Sequence, residues 1–145
     1  MAADRLVELS EDYRPSADEP YMNPRQLAYF RKKLLDWRKS LLEESQQTIE
    51  HLRGEGESRD VGDEADRASQ ESDNILELRT RDRYRKLLPK IDAALRRIEN
   101  GNYGYCDETG DEIGIQRLEA RPIATLSVEA QERRERRERQ FSDES

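Results

Sequence analysis

The sequence predicts an all-α or mostly α protein built on a long antiparallel coiled-coil hairpin with an acidic tip. Only 33% of the 145 residues are hydrophobic and 41% are charged, which is poor material for a large compact core. Apolar residues instead recur at steps of three and four along two segments, as in a coiled coil. Between the segments, residues 54–66 carry six carboxylates and three glycines, so this stretch must face solvent or a partner.

The first helix is predicted over about residues 23–53, and four signals mark its start. Asn23 suits the N-cap, Pro24 the first helical position, and Gln26 a capping box, while Met22 is placed to contact Leu27. Gly54 and Gly56 are expected to end the helix. The predicted seam comprises Leu27, Phe30, Leu34, Trp37 and Leu41, continued less regularly by Ile49 and Leu52.

The second helix is predicted over about residues 64–100, after a tip at about 54–63. Asp63 suits its N-cap, and Asn100 with Gly101 suits its end. Pro89 lies within it, and because proline lacks a backbone N–H we expect a local bend or a distorted turn near Arg85 rather than a full break. The predicted seam is Ile75, Leu78, Tyr84, Leu88, Ile91, Leu95 and Ile98.

Three further segments flank the hairpin. Residues 1–22 are expected to form a mobile or loosely docked arm. Residues 101–126, where tyrosines and aliphatic residues alternate with glycine and proline, predict a small knob. Residues 127–145 predict a C-terminal helix whose acids and arginines pair with each other, for example Glu132 with Arg136 one turn on, rather than forming a nucleic-acid surface.

Composition excludes several functional classes. A net charge of −7 and a pI near 5.0 disfavour direct binding to DNA or RNA and favour a protein partner. No apolar run approaches the ~20 residues of a membrane span, and the N-terminus lacks the pattern of a secretion signal. The single cysteine is compatible with the cytoplasm. No pairing of nucleophile and base and no phosphate-binding loop is present, so we expect no enzyme activity.

The knob has the spacing of a four-cysteine zinc site but not its ligands. The four positions are Cys106, Thr109, Ser127 and Ala130. Hydroxyl groups are poor zinc ligands at neutral pH, and the alanine side chain has no atom that can bind a metal. We therefore expect no metal in the knob.

The tip acids admit two interpretations. Asp63 and Asp66 lie three residues apart, so both fall on one side of a helix's first turn, where acids are favoured by the helix dipole alone. Alternatively, the hairpin serves to project these carboxylates into a partner, for instance near a metal ion or a mobile catalytic loop.

Several motifs resemble the DksA/TraR transcription factors. The tip sequence from Asp63 to Ala68 fits the family pattern Asp-x-x-Asp-x-Ala. Residues 103–106, 112–115 and 117–122 resemble the start and middle of the family's zinc-finger domain, and residues 21–23 and 76–79 agree as well. The likeness spans roughly residues 21–141, with the motifs in the family's order.

The resemblance implies a monomeric coiled-coil protein that binds bacterial RNA polymerase. Its tip would enter the secondary channel and change the lifetime of open promoter complexes together with ppGpp, in the stringent response. Asp63 and Asp66 would be the acting carboxylates, and Ala68 the small residue that lets the tip pack closely.

Two departures from the family pattern change what the resemblance implies. The missing zinc cysteines place the chain in a zinc-independent branch of the family. Contacts to ppGpp would fall near Lys90 and Arg121, but the position after Ala130, commonly lysine, is Gln131. The sequence therefore leaves the affinity for the alarmone undetermined.

Two alternative functions remain open. One is a Gre-like factor whose tip acids recruit Mg²⁺ to cleave backtracked RNA in the polymerase. The other is a coiled-coil adaptor that has no role at the polymerase. A cleavage assay on stalled complexes and a pull-down from lysate distinguish them from the main hypothesis.

Overall fold

Four helices make up most of the described part of the chain. A computed structural model describes residues 9–57 and 64–144, with side chains described for 9–50 and 67–142. The helices are α1 (Pro24–Glu57), α2 (Glu64–Asn100), α3 (Ile115–Ala120) and α4 (Val128–Glu144). Within these ranges there is no β-strand, and a single antiparallel bridge joins Tyr105 to Glu112. The prediction of a mostly helical fold is confirmed.

The chain divides into two compact units. The terminal unit comprises Met1–Leu34 and Ala93–Ser145, and the middle unit comprises Leu35–Asp92. This division cuts both long helices, whereas the division predicted from the sequence follows the helix ends.

The start of α1 follows the predicted capping pattern. The Asn23 side-chain oxygen accepts hydrogen bonds from the backbone N–H groups of Arg25 and Gln26, at 2.9 and 3.1 Å. The Gln26 side chain reaches back one residue further than expected, because its oxygen accepts from the Met22 N–H at 2.8 Å. Its amide nitrogen donates to the Ser16 carbonyl, so Gln26 is fully buried and still satisfied.

The prediction of a mobile or loosely docked arm is wrong for its described part. Tyr13 is buried, lies 6.1 Å from the Tyr29 ring in an edge-on arrangement, and carries the Arg25 guanidinium 4.4 Å above its own ring. Its hydroxyl donates to Glu19 at 2.9 Å. Aromatic and cation–π contacts therefore hold the arm against α1, which the polar composition of the segment did not indicate.

Aromatic packing also forms the centre of the terminal unit. Phe30 is fully buried between Tyr29 and Tyr103, with ring centroids at 5.2 and 5.7 Å. The Tyr103 hydroxyl donates to the buried Pro122 carbonyl at 2.8 Å, which satisfies both groups. The surrounding core is Leu34, Ala94, Ile98, Ile113, Leu118, Ile123, Ala124, Leu126 and Ala130. The knob is therefore held by tyrosines and aliphatic side chains, as predicted.

Gly104 sits where the chain needs both a left-handed conformation and a missing side chain. Its φ is +93°, and a Cβ there would lie 2.9 Å from Met22 Cγ and 3.1 Å from the Tyr21 hydroxyl. That hydroxyl donates to the Gly104 carbonyl at 2.7 Å, so it is not free to move aside. Gly101 also has a positive φ, +80°, but nothing lies within 4 Å of its Cβ position.

Gly104→Ala is therefore expected to destabilise the protein by about 2–4 kcal/mol, because strain and overpacking add. Gly101→Ala, which meets the strain alone, is expected to cost about 1–2 kcal/mol. Urea unfolding followed by circular dichroism measures both. Equal losses for the two variants would show that contact with Met22 and Tyr21 contributes nothing.

The two helical segments of the middle unit pair antiparallel. Arg38 Nε donates to Asp92 Oδ1 at 2.9 Å, and Arg83 lies 3.7 Å from the Glu44 carboxylate. Arg38 comes before Glu44 in α1, whereas its partner Asp92 comes after Arg83 in α2. The two segments therefore run in opposite directions. Leu41 and Ile91 are the buried side chains of this pairing. The predicted coiled-coil hairpin is confirmed.

The predicted seam is wrong towards the tip. Ile75 and Leu78 are 52% and 60% exposed, and Ile49 is 37% exposed. The less exposed positions of α2 in this region are Asp73, Glu77 and Thr80. Counted back from Ile91 through Leu87 and Tyr84, these positions follow alternating steps of four and three residues, as a heptad repeat requires. The register of the C-terminal part of α2 therefore places Ile75 and Leu78 on the solvent-facing side of the helix.

Glycine interrupts α1 less than expected, and proline leaves α2 unbroken as expected. Helix α1 runs through Gly54 and Gly56 to Glu57, because a glycine inside a helix costs only about 1 kcal/mol. Helix α2 continues through Pro89 to Asn100 without a break. Its end follows the prediction, with Gly101 at a positive φ and the Asn102 N–H bonded to the Arg97 carbonyl at 2.9 Å.

Helix α4 is exposed along most of its length. From Glu132 to Ser142 every side chain is exposed. In this described stretch no ion pair joins Glu132 to Arg136; instead Arg134 and Arg137 lie 3.8 and 3.9 Å from the Glu108 carboxylate. The predicted pairing within the helix is therefore wrong for that pair.

Candidate functional site

The predicted tip lies largely outside the described side chains. Asp63 falls outside the described residues, and Asp66 lies in the first turn of α2 without a described side chain. Ala68 is described and exposed on the next turn. The backbone thus places Asp66 and Ala68 at the start of a helix, where partial positive charge favours acidic side chains.

The structure brings together the two halves of the cysteine-poor site, which we define as Cys106 with Thr109 and Ser127 with Ala130. Cys106 donates its N–H to the Asp111 carbonyl at 2.7 Å and accepts from the Gly110 N–H at 2.8 Å, which closes a tight turn. The Asp107 N–H then donates to the Thr125 carbonyl at 2.8 Å and joins this turn to the second half. Cys106 and Ala130 are both buried, at 3% and 0% exposure.

The surroundings of Cys106 favour a thiolate. Burial by itself raises the pKa of the thiol, but hydrogen bonds from the Thr109 hydroxyl and from the backbone amides of Ser127, Thr109 and Glu108 outweigh it and lower the pKa to about 7. Amide groups directed at a sulfur stabilise its anionic form. The site therefore supplies hydrogen-bond donors that stabilise one thiolate, that of Cys106.

The remaining positions do not fit zinc. The Thr109 hydroxyl oxygen accepts from the Asp111 N–H and the Ser127 hydroxyl oxygen from the Ala130 N–H, each at 3.2 Å. Ala130 has no donor atom, so a zinc ion would find a single sulfur where a structural site needs four soft or imidazole ligands. No group of three or more His, Cys, Asp or Glu able to hold a metal occurs among the described residues.

The purified protein is expected to contain far less than one zinc ion per chain, and a chelator is expected to leave its unfolding temperature unchanged. Elemental analysis after gel filtration and thermal unfolding with and without EDTA measure these. The control is Thr109→Cys/Ser127→Cys/Ala130→Cys, which restores four thiolates and is expected to take up about one zinc. Stoichiometric zinc in the natural sequence would contradict the prediction.

The residues expected near ppGpp are exposed. Lys90 lies on α2 in the middle unit, and Arg121 follows α3 in the terminal unit. Gln131 is half-buried, and its side-chain nitrogen donates to Glu135 at 3.1 Å. Gln131 is thus occupied within its own helix and supplies no positive charge.

Comparisons with known proteins match almost the whole chain. Residues 26–98 match the family described as DnaK suppressor protein DksA, N-terminal domain, and residues 101–136 match the prokaryotic dksA/traR C4-type zinc finger. The chain belongs to the DksA/TraR family.

Relatives in this family are similar over most of their length. The RNA polymerase-binding transcription factor DksA of Caulobacter vibrioides is 64% identical over 95% of both chains. The protein of that description from Escherichia coli K12 is 45% identical, over 91% of this chain and 86% of the relative. The solved structure of transcription factor DksA2 from Pseudomonas aeruginosa has a TM-score of 0.71 and 44% identity, and the match covers 87% of this chain and 94% of that chain.

A set of exposed aliphatic residues was missed as a candidate site in this DksA/TraR family chain. Ile75, Leu76 and Leu78 are each more than half exposed on α2. Of these, Ile75 and Leu78 were interpreted as seam residues from their apolar character and spacing. The lower exposure of Tyr84 and Leu87 in the structure fixes the heptad register that places Ile75 and Leu78 outside the seam.

Proposed function

We propose that this chain binds bacterial RNA polymerase and regulates transcription initiation in the cytoplasm, as a monomer and without catalysing a reaction of its own. The main support is its 64% identity, over 95% of both chains, to a relative described as an RNA polymerase-binding transcription factor. The net charge of −7 also favours a protein over free DNA. No helix in the described part of the chain is long and apolar enough to cross a membrane.

The exposed face of α2 supplies a surface for such a partner. Ile75, Leu76 and Leu78 are 52%, 56% and 60% exposed, and Arg79 beside them is exposed as well. Adjacent aliphatic side chains that remain in water gain free energy when a partner covers them. This surface, Ile75 with Leu76, Leu78 and Arg79, is the docking face we propose for the middle unit.

The tip is the part that would act on transcription. In this proposal the hairpin enters the secondary channel of the polymerase, and Asp63 and Asp66 approach the catalytic Mg²⁺ and the mobile elements around it. A negative charge there perturbs the local field without supplying a ligand that catalysis needs. Ala68, exposed in the first turns of α2, leaves room for close approach.

The alarmone ppGpp would act with the protein at the polymerase. Exposed Lys90 and Arg121 are the candidate contacts to its phosphates. Gln131 in place of a lysine removes one cation, and each charge-assisted contact to an anion contributes roughly 1.5–3 kcal/mol. We therefore propose weaker cooperation with ppGpp than in relatives that carry the lysine.

Binding to purified RNA polymerase tests the proposal directly. The immobilised chain is expected to bind the polymerase with saturation, and an excess of a Gre-type secondary-channel factor is expected to displace it. Pull-down of purified components and a competition titration measure this. Failure to bind at about 10 µM polymerase, well above the affinity of specific protein complexes, would overturn the proposal.

A pair of variants tests the docking face. Leu76→Ser/Leu78→Ser is expected to weaken polymerase binding by about tenfold or more, because truncating central apolar contacts costs more than about 1 kcal/mol. The control Gln46→Ser/Glu50→Ser changes exposed residues of α1 and is expected to bind normally. Equal binding by both variants would remove the docking role from this face.

A further inference from the structure

An open recess lies on the terminal unit, apart from the tip and the cysteine-poor site. Its volume is about 930 Å³, within the range of sites that enclose part of a ligand. Three segments line it: the docked arm at Pro15, Ala17 and Glu19, residues 112–117, which run from a loop into the first turn of α3, and Val128 at the start of α4. None of the expected site residues lines it.

One wall of the recess is preformed. The Tyr21 hydroxyl donates to the Gly104 carbonyl at 2.7 Å and accepts from the Gly114 N–H at 2.9 Å. Its ring packs edge-on against Tyr105 with centroids 5.6 Å apart. Burial raises the pKa of Tyr21, so its hydroxyl stays protonated near neutrality and keeps both hydrogen bonds. A ligand would therefore meet a fixed surface and pay little to order it.

Arg117 is the unsatisfied group in this recess. Among the described residues, its Nε is the buried side-chain polar atom that has no hydrogen-bond partner. Two other cations of the same unit that are not fully exposed are paired: Lys33 contacts Glu119 at 2.8 Å and Arg97 contacts Asp107 at 2.6 Å. A shielded donor without an acceptor costs roughly 1–3 kcal/mol, which is recovered when an acceptor arrives.

The neighbouring carboxylates do not serve Arg117. Glu19 accepts hydrogen bonds from the Tyr13 hydroxyl at 2.9 Å and from the Ser16 N–H at 3.0 Å, and these contacts lower its pKa and hold it in place. Glu112 lines the recess as an exposed side chain and forms no ion pair within 4 Å with Arg117 in the described structure. The two negative charges beside one guanidinium repel a polyanion more strongly than a single carboxylate.

Most of the remaining lining residues are apolar, and Gln116 is the polar exception. The apolar ones include Pro15, Ala17, Ile115 and Val128, and Val128 is 48% exposed. A ligand that fits has one carboxylate within an apolar segment. The open form of the recess suits a chain segment that crosses it.

We propose that this recess receives a peptide segment of a protein partner, which places one Asp or Glu carboxylate on Arg117 and apolar side chains against Pro15, Ile115 and Val128. Binding turns the Nε–H edge of the guanidinium towards the carboxylate, which accepts two parallel hydrogen bonds in the geometry typical of arginine and carboxylate. The proposal concerns a site separate from the tip and does not depend on the partner being RNA polymerase.

The arginine Nε–H resonance of the full-length, ¹⁵N-labelled chain tests this. The Arg117 signal is assigned by its loss in Arg117→Lys, with Arg96→Lys, an exposed arginine of the same unit, as the assignment control. The probes are a capped Ala-Leu-Glu-Leu-Ala peptide and its Gln counterpart. The Glu peptide is expected to move the Arg117 signal downfield and to bind about tenfold or more tightly than the Gln peptide, because a charge-assisted pair replaces a neutral one.

Three results would overturn the proposal: an Arg117 signal unmoved at millimolar Glu peptide, equal affinities for the two peptides, or tighter binding by ppGpp used as a polyanion probe. Val128→Asp provides a second variant, because an acid at a helix start does not disfavour the helix. Its added negative charge in the recess is expected to abolish binding of the Glu peptide. Unchanged binding by this variant would place the peptide elsewhere.

Discussion

Replacing Phe30 with alanine is expected to lower the free energy of unfolding by about 3–5 kcal/mol. Phe30 has no exposed surface, and its ring contacts those of Tyr29 and Tyr103 at centroid distances of 5.2 and 5.7 Å. Removing it leaves a cavity that the neighbouring Tyr103 cannot fill, because its hydroxyl is bound to the Pro122 carbonyl. A small domain is stable by only about 5–15 kcal/mol, so the loss is a large share of the total.

Urea unfolding followed by circular dichroism and tyrosine fluorescence measures this effect. The matched control is Leu76→Ala, which removes a similar apolar side chain that is 56% exposed and is expected to cost less than about 0.5 kcal/mol. If the two variants lose similar amounts of stability, the aromatic cluster is not the centre of the terminal unit.

The second large effect is functional. Asp66→Asn is expected to abolish most of the protein's effect on the lifetime of open promoter complexes while leaving its binding to polymerase unchanged. Asparagine keeps the size of the side chain and removes its charge, and Asp66 lies in the first turn of α2, away from the proposed docking face at residues 75–79. Transcription with purified polymerase and a parallel binding assay measure the two properties separately.

Asp82→Asn is the control for this experiment, since it removes one carboxylate from an exposed position further along α2 and is expected to act like the natural chain. If Asp66→Asn binds and still changes open complexes normally, the tip acid has no such role. Cleavage of RNA in stalled complexes by the natural chain, lost in Asp66→Asn, would instead favour the Gre-like alternative.

Prediction from sequence succeeded where the signal was local. The cap at Asn23 and the end of α2 at Gly101 each depend on a few neighbouring residues and on backbone geometry that those residues dictate. The departure of the knob from the four-cysteine pattern is equally local, since Thr109, Ser127 and Ala130 supply no thiolate, and the expected absence of zinc stays a prediction.

Prediction failed where several elements compete for one surface. Ile75 and Leu78 were predicted as seam residues because they are apolar, but the heptad register from Ile91 places Asp73, Glu77 and Thr80 in the less exposed positions.

The arm was predicted to be loosely docked because it is polar, yet Tyr13 contacts Tyr29 and Arg25 on α1. In both cases the outcome depends on residues outside the segment whose sequence was interpreted.

The sequence by itself determined the helical class, the acidic loop between two long helices, the family and the loss of three zinc ligands, because each depends on residue identity or on spacing along the chain. Only the tertiary structure decided which aliphatic side chains are buried, how the arm docks, and that Arg117 lines a recess with an unpaired Nε. Burial and hydrogen-bond satisfaction depend on groups brought together from distant parts of the chain, so no local pattern specifies them.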